Sequence, residues 1–306
     1  MNTKLVTGYW MDIDCPPYYG VLSAKKERYL SSLITHNSYN IPIVCYTHQK
    51  SFEELSFLKE KYGLTNVEIK IKELHDVKYH TKYQEIRDKL SQQGSLWEHE
   101  IAGRPPEVLW GKFDVLEYEI KNSQEKYIYW IDVGLHYLGV FPLWSNPYKD
   151  ESNFDNVLEK KFNFTKILNK QVFESLENKL NSRIVTLVNK HQESAHFTNI
   201  EGFEGFFRPN SNPVAGFFGG DKNILKKYCE SFWDFGLKHL NEGIICHEQS
   251  VMKHIHNTFN PQEMVEFVYE THQYNVDNFH EKLWESENDG RKPLYTCFLD
   301  IVNNQF

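Results

Sequence analysis

Several signatures of nucleotide and hydrolytic chemistry are missing from this 306-residue chain. It has no GxGxxG, no Walker lysine loop and no GxSxG, and His247-Glu248 lacks the second histidine of HExxH. Those absences count against dinucleotide oxidoreductases, P-loop enzymes, α/β-hydrolases and zincins. Its five cysteines (Cys15, Cys45, Cys229, Cys246, Cys297) are odd in number, widely spaced and form no CxxC. Free thiols in a reducing compartment explain them better than a disulfide framework or a zinc knuckle. Gly (16) and Pro (11) are too few for a collagen-like or low-complexity chain. No apolar run reaches the ~18 residues of a membrane span. The N-terminus MNTKLVTGYWMD lacks the charged, apolar and small-residue regions of a signal peptide, so a cytoplasmic location is expected. Positive charge is also short: 34 Lys and Arg against 42 Asp and Glu give −8. A nucleic-acid partner would then need a local basic groove, because the global field repels phosphates.

Aromatic residues are plentiful, at 15%, and so many bulky rings exclude a disordered chain. Strand and helix signals alternate along the first half. Strands are expected at Lys4–Trp10, Ile41–Thr47, Val67–Ile71 and Tyr127–Asp132. Helical stripes are expected at Ala24–Ser38, at a helix capped by Ser51 through the S-F-E-E box and stopped by Gly63, and at Glu107–Asn122. Later, Arg183–Val188 reads as a strand, and Val214–Phe218 as a short strand ending in a Gly219-Gly220 turn. Asp221 starts a helix to about Asn241, Cys246–Asn257 is another, and Met264–Glu270 is a late strand. The expectation is an α/β fold: one domain with a mostly parallel, doubly wound sheet flanked by helices. In such sheets ligands bind beyond the carboxyl ends of the strands.

Four features carry possible chemistry. Asp132 ends the apolar strand YIYWID, where a carboxylate is costly unless something uses it. A hard divalent cation suits it, and Gly134 lets the backbone bend away to leave room for a ligand; the plainer reading is a turn cap. The second feature, Val214–Asp221 with Gly216, Gly219 and Gly220, suggests close backbone approach to a hydroxyl-rich ligand, or simply a Gly-rich turn. The third is Glu248, which opens a helix after His247 and is either a general base or a partner of the helix dipole. The fourth is Lys112, the only cation between Arg104 and Lys121. It is a point charge for a diphosphate or an ordinary solvated lysine. The same pair of readings applies to Lys25, Lys26 and Arg28. His136 and His272 are candidate extra metal ligands near strand ends.

The order VTGYW, WIDVG, GFFGG and an acidic-Gln pair on a helix resembles nucleotide-sugar glycosyltransferases of the GT-A type, and within them the HtrL/YibB-like group. The resemblance spans roughly Lys4 to Glu270. It implies a Rossmann-like GT-A fold, with residues 1–134 as the nucleotide-sugar half and residues 135–306 as the acceptor half. It implies transfer of a sugar from a nucleoside-diphosphate donor to an acceptor hydroxyl with Mn²⁺ or Mg²⁺. By the same resemblance Thr7, Tyr9, Lys112 and Asp132 contact the donor, and the residue readings above add Arg28 and Gly134 to that side. Gly216, Gly219 and Gly220 fall on the segment that touches donor or acceptor and are assigned to the acceptor side. Glu248 falls near the acidic position that orients the acceptor or removes its proton. Asp132 stands at the metal-binding carboxylate, with His272 its candidate companion from the residue reading. The motif here is D-V-G where the family has D-x-D, so one carboxylate is missing and cations such as Lys112 stand in for charge. Two alternatives keep the fold: transfer to hydroxymethylated bases of DNA, and a non-catalytic nucleotide-sugar-binding protein. A nucleotidyltransferase fits less well, because Met11–Pro17 supplies no Gly-rich phosphate loop.

Overall fold

The computed structural model describes residues 1–10, 33–34, 36–92, 106–133, 170–189, 212–244, 246 and 248–269. Seven strands form one sheet in the order β3-β2-β1-β4-β6-β5-β7. They are β1 (Thr3–Tyr9), β2 (Ile43–Thr47), β3 (Val67–Ile71), β4 (Tyr127–Ile131), β5 (Ile184–Asn189), β6 (Asn212–Asp221) and β7 (Met264–Tyr269). All neighbours pair in parallel except β6, which is antiparallel to β4 and β5. The expected α/β class therefore holds. β2 and β4 read as unbroken apolar runs because every residue of each is buried, as a sheet covered on both faces requires.

One face carries α1 (Gln49–Lys61) and α4 (Lys170–Leu180), whose Leu55, Leu58, Phe173 and Leu176 pack on Leu5, Tyr129 and Phe217. The other carries α2 (His80–Gln92), α3 (Pro106–Asn122), α5 (Lys222–Asn241) and α6 (Glu248–Thr258), around Val6, Trp130 and Phe218. Pro106 starts α3 at the position where its missing N–H costs nothing. Asp221 caps α5, its carboxylate accepting from the N–H groups of Asn223 and Ile224.

Two local expectations need correction. α1 is capped by His48, not Ser51: the His48 Nδ1 accepts from the Ser51 N–H at 3.1 Å. The imidazole thus takes the orphan amide one turn earlier than the S-F-E-E box suggests. Gly219 and Gly220 do not end a strand; β6 runs through them, against Tyr129 and Val185 for Gly219 and Ile128 and Ile184 for Gly220. Both have φ +145°, and a Cβ on Gly219 would lie 2.3 Å from the Ile128 carbonyl oxygen. The neighbouring backbones explain these glycines. The expected helix at Ala24–Ser38 and the residues between 134 and 169 fall largely or wholly outside the described residues.

The helical face is an aromatic stack. Phe113 lies on Phe232 with ring centroids 3.5 Å apart, and Trp110 meets Phe232, Trp233 and Tyr83. The Trp110 indole N–H donates to the Cys246 carbonyl at 2.9 Å, and its ring fills the space beside Gly236 of α5, where a Cβ would lie 2.5 Å from it. Gly236→Ala is expected to destabilise the protein by about 1–3 kcal/mol through overpacking, despite alanine's helix-propensity gain of about 1 kcal/mol. Urea denaturation checks this, and a variant as stable as the parent would show that Trp110 yields freely. Cys45, Cys229 and Cys246 are buried free thiols. Burial pushes Cys45 and Cys246 up to about 12, so none of the three is a thiolate near neutrality.

Candidate active site

The strand order places a topological switch point between β1 and β4. From β1 the chain moves outward to β2 and β3, then returns to add β4 on the other side of β1. Connections leave that pair in opposite directions, which is where open α/β sheets form a ligand crevice. The carboxyl end of β4 lies there, and Asp132 follows it directly.

Asp132 is half-buried. Its N–H donates to the Gly216 carbonyl at 2.7 Å, extending the β4–β6 ladder by one residue. Its carboxylate accepts the indole N–H of Trp130 at 3.2 Å. Residues i and i+2 of a strand share a face, so Trp130 sits beside Asp132 on the side covered by α3 and α6. Lys112, in the second turn of α3, reaches over the same ring, its Nζ 5.6 Å from the centroid. The ammonium lies 3.5 Å from Glu248 Oε1 and 3.4 Å from the Ala215 carbonyl. Lys112 is 5% exposed and Glu248 4%.

Three residues singled out from sequence therefore converge with Gly216: Asp132, Lys112 and Glu248. Lys112 is not a solvated lysine. Glu248 stands in the first turn of α6, where the helix dipole favours a carboxylate. Two partners are absent from the sequence-based expectation. Trp130 orients Asp132 and lies under Lys112; its place two residues before a strand-end Asp was the available signal. The Ala215 carbonyl has no such signal, because any residue supplies one.

The other candidates lie elsewhere. Thr7 and Tyr9 are closed off, at 0% and 1% exposure. Thr7 shares the α1–α4 face with Leu5 and Tyr9, and its hydroxyl makes no hydrogen bond among the described residues. The Tyr9 carbonyl accepts the Thr47 hydroxyl at 2.6 Å. Gly219 and Gly220 pair with Tyr129 and Ile128, toward the amino ends of β4 and β1 and away from Asp132. Arg28, Gly134, His136, His247 and His272 lie outside the described residues.

Among the described residues, no group of three or more His, Cys, Asp and Glu side chains is arranged to hold a metal ion. Asp132 accepts the Trp130 N–H through one carboxylate oxygen, and the histidines expected beside it as metal ligands, His136 and His272, lie outside the described residues.

α3, which carries Lys112, is fastened along its length. Lys72 pairs with Asp114 at 3.0 Å, His80 with Glu107 at 2.9 Å, and Lys78 with Glu117. At its far end Glu119 is 1% exposed and accepts Lys4 at 2.7 Å, Lys70 at 2.8 Å, Tyr46 at 2.5 Å and Ser123 at 2.9 Å. Burial alone would raise the Glu119 pKa; the bonds from Lys4, Lys70 and Tyr46 outweigh it and hold it down at about 2.

No family model matches the chain, and no curated protein matches it. The resemblance to the HtrL/YibB-like group thus rests on its motifs alone. Among solved structures the chain is similar to the 4-diphosphocytidyl-2C-methyl-D-erythritol synthase of Anaerococcus prevotii, at 11% identity and a TM-score of 0.43 over 94% of this chain and 96% of that one. A likeness this distant says nothing of the reaction. Among the described residues, no helix is long and apolar enough to cross a membrane.

Proposed function

We propose that this chain is a glycosyltransferase that takes a nucleoside-diphosphate sugar as donor and an acceptor hydroxyl as nucleophile. The observation that carries the reading is the meeting of Lys112, Asp132 and Glu248 around Trp130 at the β1–β4 switch point. Among the described residues this is where a buried cation and two carboxylates converge at the carboxyl edge of the sheet. Donor and acceptor, as read, meet over that edge.

In a direct displacement the acceptor oxygen forms a bond to the anomeric carbon while the bond from that carbon to the diphosphate oxygen breaks. The diphosphate leaves with the electron pair, and the acceptor proton passes to Glu248 as general base. Lys112 answers the charge that grows on the leaving diphosphate, in a site where low polarity strengthens each Coulomb term. Asp132, held by Trp130, accepts hydroxyls of the donor sugar. The divalent ion suggested by the family resemblance rests on Asp132 and on His272, so no step here depends on it.

The test is a thermal-shift screen of nucleoside diphosphates and their sugars, with and without Mn²⁺. A ligand that binds only the folded state raises the melting temperature by RT ln(1 + [L]/Kd), about 2.7 kcal/mol at a hundredfold excess over Kd. At least one donor class is expected to stabilise the parent chain, and Asp132→Ala is expected to lose most of that shift while melting at the same temperature without ligand. A screen in which no nucleotide or nucleotide sugar shifts the transition removes the proposal. A Mn²⁺-dependent shift that Asp132→Ala abolishes would assign a metal to Asp132.

A further inference from the structure

Among the described residues, the buried carboxylates of Glu119 and Glu248 are each approached by lysine, with contacts of very different quality. At Glu119, four donors lie at 2.5–2.9 Å, the range of charge-assisted hydrogen bonds. At Glu248, the Lys112 ammonium stands off at 3.5 Å, with the Ala215 carbonyl at 3.4 Å and the Trp130 ring at 5.6 Å. Lys112 is thus less exposed than Lys4 or Lys70 and yet more weakly held. A buried ammonium normally needs short bonds to offset its lost hydration. The long contacts leave Lys112 with unspent bonding capacity, on a four-carbon stem that can swing its head by several bonds.

We infer that Lys112 is an exchangeable cation, parked between Glu248 and the Trp130 ring in the free protein and transferred to the diphosphate when donor binds. This rests on the donor reading given above and adds an order of events to it. While Lys112 sits beside Glu248, the carboxylate is occupied by a cation. Once the ammonium moves to the diphosphate, Glu248 no longer shares its charge with Lys112 and is the better acceptor for the acceptor proton. Donor binding therefore arms the base, and the nucleophile is activated only when a leaving group is in place. Trp130 keeps the ammonium near by cation–π attraction, and its indole N–H fixes Asp132 throughout.

A double-mutant cycle on binding of the nucleoside diphosphate tests this, with the nucleotide that gives the largest thermal shift in the parent as the probe, titrated by calorimetry. Lys112→Met should weaken binding about 10–100-fold, the value of a hydrogen bond to a charged group. Glu248→Gln should tighten it about 3–10-fold, because the competitor for Lys112 is weakened. In the Lys112→Met background Glu248→Gln should change nothing. A fixed structural pair predicts the opposite for Glu248→Gln, namely unchanged or weaker binding, and that result overturns the inference. Where Glu248→Gln melts too low to titrate, Glu248→Asp draws the carboxylate back from the ammonium and should shift binding in the same direction. Lys112→Arg should keep binding within a few-fold of the parent. If no nucleoside diphosphate binds the parent chain, the donor reading itself fails; if one binds but the cycle shows no coupling, only the exchange fails.

Discussion

Replacing Glu119 with alanine is expected to cost the fold about 3 kcal/mol, near the lower end of the range for breaking a buried ion pair. The carboxylate joins three adjacent strands to α3: Lys4 comes from β1, Tyr46 from β2 and Lys70 from β3. Without it those groups lose their common acceptor. The loss stays at the low end because Lys4 and Lys70 are 14% and 28% exposed, so both can recover some hydration. The pH dependence follows with a definite sign. The folded pKa of Glu119 lies below its ordinary value of 4.5, at about 2. Its contribution is therefore complete above about 4.5 and disappears as pH falls through about 2. Urea denaturation between pH 7 and pH 2.5 should show the parent losing stability through that window. Glu119→Gln, which keeps the shape, should start lower and lose less. Parallel curves for the two proteins would mean that Glu119 is not the group whose protonation weakens the fold.

The residues of this network show which parts of the structure were readable in advance. The strand ending at Asp132 was legible because an apolar run bounded by turn residues has few other uses, and Val67–Ile71 because its apolar and charged residues alternate. α3 was legible from Leu109, Phe113, Leu116 and Ile120, which repeat at helical spacing and are buried in the structure. α2 was not expected from the sequence, since Tyr83 and Ile86 are its buried apolar anchors in a polar segment. Gly219-Gly220 misled because a turn and a squeeze between two strands leave the same local composition. Only the Ile128 carbonyl and the Ile184 backbone distinguish them. The site divides along the same line. Asp132 was readable from its position at a strand end, a local fact. The contact between Lys112 and Glu248 spans 136 positions, and no local pattern records it. A lysine alone on a helix reads as solvated until the opposing helix is placed.

Glu248→Gln is expected to lower kcat about 10²–10⁴-fold, the usual worth of a positioned general base, without raising the KM for donor. The two effects separate because Glu248 has two tasks. Toward the donor it competes for Lys112, so neutralising it eases donor binding. Toward the acceptor it takes the proton, and glutamine cannot. A variant that had merely loosened the site would lose both, with KM rising as kcat falls. The base role makes a second demand that a structural role does not. An acceptor with a more acidic hydroxyl needs less help to ionise, so the gap in kcat between parent and Glu248→Gln should narrow along a series of increasingly acidic acceptor alcohols. A constant gap across that series, or a kcat within about threefold of the parent, would remove Glu248 from the chemistry and leave Asp132 as the remaining described carboxylate at that edge to take the proton.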